Sequence, residues 1–285
     1  MSPPDSSARG TLVAIATDRL RGAGVESAAH DASELLAFVL GVPRSRLPLV
    51  DDVTPAEAER FGDLVGRRAM RVPLQHLTGV AHFRYVELQV GPGVFVPRPE
   101  TELLAGWAVE QAAAIDGPVI VDLGTGSGAM ARSFAHEVPR ARVHAVELDE
   151  GAHAWALRNL ADTGVDLRQG DLADAFDDLA GTVDVIASNP PYIPHEAWES
   201  VEVEVRDHDP ALALYATGDG LDTVRVVERT AARLLKPGGV VGVEHADVQG
   251  ESAPAVFTEA GRWDQVRDHE DLAGRPRFLT ARLAR

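Results

Sequence analysis

The sequence predicts an α/β protein: a mostly parallel sheet of seven strands with an antiparallel pair at its edge, preceded by a small all-α domain. Two patterns carry that expectation. From Glu100 onward, apolar strand-like runs alternate with helical stretches, the arrangement of a parallel sheet covered on both faces, whereas residues 11–72 show helical spacing alone. The last two strand-like runs follow one another with no helix between them, which makes them an antiparallel edge pair.

Residues 1–10 are polar and rich in Pro and Ser, with no basic end leading into an apolar block, so they read as a loose tail and not as a signal peptide. The helical domain follows over 11–72. Leu12, Val13, Ile15 and Leu20 mark one helix, and Leu35, Leu36, Phe38 and Val39 the next, which Gly41 before Val42-Pro43 stops. Thr54 is a good N-cap and Pro55 suits the first helical position of a third helix, Ala56 to Arg68. Residues 73–98 form the connector, where Phe83, Tyr85, Glu87 and Gln89 alternate with Val86, Leu88 and Val90 as in a short hairpin. Within 99–285 the predicted strands are Pro118–Leu123, Arg142–Leu148, Val165–Gln169, Val183–Ser188, Gly239–Glu244, Trp263–His269 and Arg277–Leu283. Helices Glu102–Ala114, Ala129–Glu137, Gly151–Ala161, Leu221–Leu235 and Gln249–Glu259 fill the gaps.

Composition narrows the possible functions. With 285 residues, 45% apolar and 25% charged, the chain has ordinary globular content and room for two domains. It has no cysteine, so disulfides, thiolate zinc sites and a cysteine nucleophile are excluded, in keeping with a reducing cytoplasm. No metal is expected. No apolar stretch approaches the ~20 residues of a membrane helix, so the expectation is a soluble protein without a membrane partner. A formal charge of −17 disfavours bulk nucleic acid. Arg67, Arg68 and Arg71 form the one compact basic cluster, read by default as a solvated helix face.

The residues that carry chemistry lie at the ends of the predicted strands. The first runs into Asp122-Leu123-Gly124-Thr125-Gly126-Ser127-Gly128 and then a helix, so glycines stand where the backbone must turn sharply against a ligand. Glu147 ends the second strand, 19 residues past Gly128, where a carboxylate can accept both hydroxyls of a ribose. Asp171 and Leu172, after the third, are suited to an adenine amino group and ring, or to a plain loop. The fourth strand leads into Asn189-Pro190-Pro191-Tyr192. Two prolines remove two backbone donors and fix φ, so the carbonyls of this corner are not reclaimed by a helix. The Asn189 side-chain oxygen and the Pro190 carbonyl can then take the two N–H bonds of a planar –NH₂ group while Tyr192 packs on its face.

An amide nitrogen is a poor nucleophile because its lone pair is delocalised into the carbonyl. Alignment of that nitrogen with the group it attacks can remove several kcal/mol of barrier, of order 7–11 in the best intramolecular cases. Acceptors on both N–H groups also stabilise the positive charge that grows on nitrogen. No strong base is needed if the proton leaves after the new bond to nitrogen has formed. His195 is placed to take it, although a surface loop histidine is its default reading, as a solvated loop is for residues 196–209, with six acids and one arginine.

At these residues the sequence resembles the HemK/PrmC family, the release factor glutamine methyltransferases, over nearly its whole length. The resemblance also includes Pro73 to Gly79, Gly91 to Glu102, Glu204 to Arg206, Asp209 to Leu214 and Asp271 to Arg275. It implies a Rossmann-like class I methyltransferase sheet of seven strands and an N-terminal helical domain that docks the substrate. The substrate would be a release factor, its acceptor the glutamine of the Gly-Gly-Gln motif, and the cofactor S-adenosyl-L-methionine. Gly124, Thr125, Gly126, Ser127 and Gly128 would hold the methionine end, Glu147 the ribose, Asp171 and Leu172 the adenine region. Asn189, Pro190, Pro191 and Tyr192 would form the catalytic and substrate-binding corner, with Asn189 also bordering the cofactor. Arg98 and Thr101 would lie near the opening and carboxylate end of the cofactor site, or only pin the connector. Two departures stand out: Glu147 where many relatives have Asp, and Leu172 where some have an aromatic.

A ribosomal-protein glutamine methyltransferase would keep the same amide clamp. An adenine-amino methyltransferase shares Asn-Pro-Pro-Tyr but calls for a basic target-recognition region. A non-catalytic cofactor-binding module would not need an intact clamp, and a nicotinamide oxidoreductase leaves Asn189 to Tyr192 without a task. A cytoplasmic monomer is the expected form.

Overall fold

In the computed structural model the described residues are 7–50, 52–200 and 202–285, without the side chains of Ser7, His195 and Ser200. The tail expected over 1–10 therefore lies outside them up to residue 6. Arg9 and Gly10 already belong to a helix, because the chain turns helical as it leaves a two-residue strand, Ser7–Ala8, paired with Asp52–Val53. Two compact units divide the chain. Among the described residues one is built from the chain up to Val80 together with Glu202–His208, and the other from Ala81 onward without that segment.

The first unit carries helices α1 (Arg9–Gly22), α2 (Ala28–Leu40) and α3 (Pro55–Ala69). Helix α3 begins in a capping box: Thr54 N donates to Glu57 Oε2 at 2.8 Å and Glu57 N to Thr54 Oγ1 at 3.3 Å, of order 1 kcal/mol of helix stability. Leu20, Leu35, Leu36, Phe61 and Val65 pack as its core, whereas Ile15 and Phe38 face outward. The reading of Arg67, Arg68 and Arg71 as a solvated face holds only for Arg67. Arg68 is buried and donates to Asp31 at 2.7 Å and to Glu204 at 3.0 Å, and Arg71 Nε reaches Glu204 at 2.7 Å. Arg71 lies past the helix end at φ +66°, and both guanidinium groups meet one carboxylate distant in sequence, with Asp31 also bound to Arg68.

The second unit is the α/β sheet. Strands β1 (Val119–Leu123), β2 (Arg142–Glu147), β3 (Asp166–Gln169), β4 (Val183–Ser188), β5 (Leu235–Glu244), β6 (Trp263–Glu270) and β7 (Pro276–Leu283) lie in the order β6-β7-β5-β4-β1-β2-β3. The first five are parallel, and β7 runs antiparallel to both β5 and β6. This is the expected Rossmann-like sheet with its antiparallel edge. One face is covered by α4 (Thr101–Ala113), α5 (Ala129–Glu137) and α6 (Glu150–Leu160), the other by α7 (Asp222–Leu234) and α8 (Ser252–Ala260). Phe83 and Phe134 are fully buried on the first side and Phe257 on the second, each side chain contributing about 1.5–3 kcal/mol.

Strand β5 starts at Leu235, not at Gly239. Lys236-Pro237-Gly238-Gly239 looks like a break in sequence but passes as an irregularity within the strand, between the Leu235 and Val240 pairings. The last helix starts at Ser252, since Asp247–Gln249 is a separate 3₁₀ turn. Val80–Phe83 and Val86–Gln89 pair as a two-stranded ribbon. Among the described residues no helix is long and apolar enough to cross a membrane.

Candidate active site

Sheet register builds the site. Val146, Leu123, Ser188 and Val243 stand in one row across β2, β1, β4 and β5. The next residues, Glu147, Gly124, Asn189 and Glu244, therefore leave the carboxyl edge of the sheet side by side, neighbouring strands being about 4.8 Å apart. Gln169 on β3 pairs with Glu147, so Asp171 and Leu172 follow at the end of the same row. The glycine turn, Glu147, Asp171-Leu172 and the Asn189 corner thus come from one edge of one sheet, where open α/β sheets place their ligands, while Arg98 and Thr101 lie at the head of α4.

On the β1 side the backbone makes the site. Gly124, Gly126 and Gly128 have φ of +77°, +58° and +85°. A Cβ at Gly124 or Gly126 would meet nothing within 4 Å, so the turn borders open space, whereas one at Gly128 would press on Leu160 at 3.1 Å. The Glu147 carboxylate accepts from Gly126 N at 2.8 Å and from Asp149 N at 2.9 Å, and burial raises its pKa despite these bonds. Asp122, fully buried beneath the turn, accepts from Thr125 Oγ1 at 2.6 Å and Ala131 N at 3.1 Å. Its Oδ1 is buried with no hydrogen-bond partner among the described residues, and burial pushes its carboxyl up to about 7. Asp171 is exposed and its Oδ1 accepts from Ala173 N at 2.8 Å, so it caps its own turn; Leu172 packs onto the sheet core.

Side chains make the β4 side. Asn189 is half-buried and its Nδ2 donates to Thr101 Oγ1 at 3.0 Å. Among the described residues nothing donates to its Oδ1, which is not sealed from the surface, and no backbone N–H takes the Pro190 carbonyl. Tyr192 donates its hydroxyl to Glu244 Oε1 at 3.2 Å, and its carbonyl accepts from Gln249 Nε2 at 3.2 Å. Gly220 makes room for that carbonyl: at φ +82°, a Cβ there would strike it at 2.7 Å. Burial and the neighbouring Glu244 push the Tyr192 hydroxyl upward, so it stays a donor. The side chain of His195, the candidate proton acceptor, lies outside the described residues.

Two supporting residues, Glu244 and Asp209, were not assigned roles from sequence. Glu244 is buried at the end of β5, its carboxyl raised to about 7 by burial although the Thr101 hydroxyl and the Arg277 charge pull it down. An acid closing the apolar run Val240–Val243 was the signal for it. Asp209 is buried at the end of the acidic stretch and bound by Arg98 at 2.6 Å, with burial raising it to about 6. The solvated-loop reading of 196–209 fails at Glu204 and Asp209, because each sits against an arginine: Glu204 beside Arg68 and Arg71, Asp209 beside Arg98. Thr101 accepts the Asn189 amide and so supports the corner, whereas Glu244 Oε2 is buried with no hydrogen-bond partner among the described residues.

Residues 11–79 match the family model of the PrmC N-terminal domain, and residues 100–206 that of the methyltransferase small domain. The chain is 58% identical over 275 residues to the release factor glutamine methyltransferase of Streptomyces coelicolor, covering 95% of this chain and 97% of that one. Its identity to the enzyme of that name from Mycolicibacterium smegmatis is 47%, covering 96% and 98%. A 4-amino-L-phenylalanine/4-methylamino-L-phenylalanine methyltransferase from Streptomyces pristinaespiralis is 43% identical, covering 88% and 87%.

Proposed function

The chain belongs to the release factor glutamine methyltransferase family, and from that premise we propose that it methylates the side-chain amide nitrogen of the Gly-Gly-Gln glutamine in peptide chain release factors, with S-adenosyl-L-methionine as donor. One observation carries the reading: the register that sets Asn189 beside Gly124 puts an open amide oxygen next to an open glycine turn.

The residues present fit the cofactor. The cradle over Gly124 and Gly126 is one that any Cβ would enter, and Asp122 holds an orphaned buried oxygen beneath it. Gly124 to Gly128 would hold the methionine end, and Glu147, whose two oxygens each keep a lone pair beyond the backbone bonds they accept, the ribose. Asp171 and Leu172 border the adenine region. When bound, the cofactor supplies a methyl carbon made electrophilic by the adjoining sulfonium. The chain's own work is at the acceptor. Asn189 Oδ1 and the Pro190 carbonyl accept the two amide N–H groups, Pro191 stiffens the corner, and Tyr192 lines it. Together they hold the nitrogen in line and offset its growing positive charge. The amide proton is lost to solvent or to a loop base such as His195.

The helical unit docks the release factor, with Ile15, Phe38, Leu49 and Met70 as exposed apolar contacts. Formal charge −17 disfavours direct nucleic-acid contact, and our reading is of a cytoplasmic monomer that works away from the membrane. The Streptomyces pristinaespiralis relative supports a second acceptor class, an arylamine, since the same corner suits any planar –NH₂.

The test is transfer of labelled methyl to a release factor, to that factor with its Gly-Gly-Gln glutamine changed to alanine, to ribosomal proteins, to DNA and to 4-aminophenylalanine. Label on the intact factor alone is the expected result. Equal label on the glutamine-free factor, or label only on another acceptor, overturns the reading.

A further inference from the structure

The glycine turn ends on a carbonyl that the backbone does not use. Helix α5 begins after Gly128, whose φ of +85° and missing side chain leave it without a cap of its own, and Asp122 from β1 takes that part: its Oδ2 accepts the Ala131 N–H at 3.1 Å. Ala131 is the residue that would otherwise donate to Ser127, four positions back, so among the described residues no backbone N–H takes the Ser127 carbonyl. A side chain takes it instead. Asn159, buried in α6, donates from Nδ2 to Ser127 O at 2.8 Å.

The rest of that amide goes to Gln89. Its second N–H donates to Gln89 O at 2.9 Å and its oxygen accepts from Gln89 N at 2.8 Å, so the side chain pairs with Gln89 as a neighbouring strand would. The chain from Gln89 to Gly93 then follows one face of α6, where residues four apart line up: Gln89 on Asn159, Gly91 and Pro92 on Trp155, Gly93 on Gly151. A Cβ at Gly91 would strike the Trp155 ring at 2.7 Å, Trp155 Nε1 donates to Pro92 O at 3.3 Å, and a Cβ at Gly151 would meet the Gly93 carbonyl at 3.6 Å. At the Asn159 end this face also holds the glycine turn, through Ser127.

We propose that Asn159 is a positioning residue for the amino-acid end of the cofactor: it holds the Ser127 carbonyl turned into the protein, so that the head of α5 meets the ligand's carboxylate with N–H groups and not with an oxygen lone pair. The inference rests on the reading that Gly124 to Gly128 hold the methionine end. Without Asn159 the peptide between Ser127 and Gly128 loses the partner that fixes its plane, and Gly128, tolerant of either sign of φ, lets it turn over. The carbonyl then enters the open space that Gly124 and Gly126 border, where it repels a carboxylate. The nucleoside end, beside Glu147 and Asp171, is not reached by that turn.

The experiment measures, by calorimetric titration of the full chain, affinity for S-adenosylhomocysteine and for 5′-methylthioadenosine, which has the same nucleoside and no amino-acid end. Asn159→Asp, which keeps the shape but turns the donors to Ser127 and Gln89 into an acceptor, and Asn159→Ala are compared with Gly91→Ala, which disturbs the same helix face without touching Ser127. Either Asn159 variant is expected to weaken S-adenosylhomocysteine about tenfold and methylthioadenosine by less than about twofold, with kcat at saturating cofactor within about twofold. Gly91→Ala should affect the two ligands alike. Equal loss of both ligands in the Asn159 variants, or the same selective loss in Gly91→Ala, overturns the inference. Hydrogen exchange on wild type needs no variant: S-adenosylhomocysteine should slow the Gln89 amide, whose N–H rests on Asn159, at least about threefold, and methylthioadenosine should not. No slowing, or equal slowing by both, overturns the inference as well. If wild type binds S-adenosylhomocysteine no more tightly than methylthioadenosine, the reading of the glycine turn falls and takes this inference with it; a preference that survives in both Asn159 variants removes the inference alone.

Discussion

The two halves of the site are made from different material. Around Gly124 to Gly128 the surface is backbone, shaped by positive φ angles and by N–H groups given to Glu147 and Asp122. Around Asn189 to Tyr192 the surface is side chain, held by Thr101, Glu244 and Gln249, which come from three other parts of the chain. The first half suits a ligand that does not vary, because glycine geometry leaves little to adjust. On the proposed function the second sets what is methylated and how well it is aligned. Substitutions should therefore separate binding from chemistry.

The largest separation is expected at Asn189. Asn189→Ala removes one oriented acceptor, and kcat should drop by about 10²–10³, the range for losing one such group in other enzymes. Calorimetric titration should find cofactor affinity within about twofold of wild type. Loss of both together would mean that the corner belongs to the cofactor half and that the division drawn here is wrong.

Gly126→Val is the converse. A β-branched side chain at φ +58° costs about 1–2 kcal/mol in strain and projects into the open space of the cradle. Cofactor affinity should weaken at least about tenfold, as titration would read, while single-turnover transfer at saturating cofactor is less affected. A smaller effect is expected at Glu147→Gln, where the amide must turn its –NH₂ toward Gly126 N or Asp149 N. One lost backbone acceptor costs about 1–3 kcal/mol, to be seen as a lower melting temperature and several-fold weaker cofactor binding.

What the sequence made legible follows the same division. Gly124 to Gly128, Glu147 and Asn189 to Tyr192 lie next to the strands that place them, so short motifs were enough to locate them. Apolar runs and breaks located the strands, except at Leu235, where Pro237-Gly238-Gly239 mimics a loop inside β5. Glu244 takes its meaning from the Tyr192 hydroxyl, 52 residues earlier, and Thr101 from Asn189, 88 residues on, and spacing holds no trace of either. Arg68 looked solvated because its neutralising partner Glu204 lies 136 residues on. Asp209 looked solvated because Arg98, 111 residues earlier, covers it.

The smallest expected effect is on stability. Asp122 and Glu244, raised to about 7, and Asp209, raised to about 6, all sit above ordinary carboxylate values near 4. Between those limits the native state binds more protons than the unfolded chain, so stability is fullest below pH 4 for these groups and is lost as pH rises through 6 to 7. The melting temperature should rise by a few degrees from about pH 8 to about pH 6, and Asp122→Asn should flatten that slope. An acid loss of activity in the same interval is then not unfolding. A melting temperature that falls on acidification would contradict the charge states assigned to the site.

The most direct test of the whole account is to locate the methyl group. Tandem mass spectrometry of a release factor treated with the enzyme should find one added methyl, on the side-chain nitrogen of the Gly-Gly-Gln glutamine. A methyl on a lysine, a carboxylate or any other glutamine would contradict an Asn189 corner built for that planar amide.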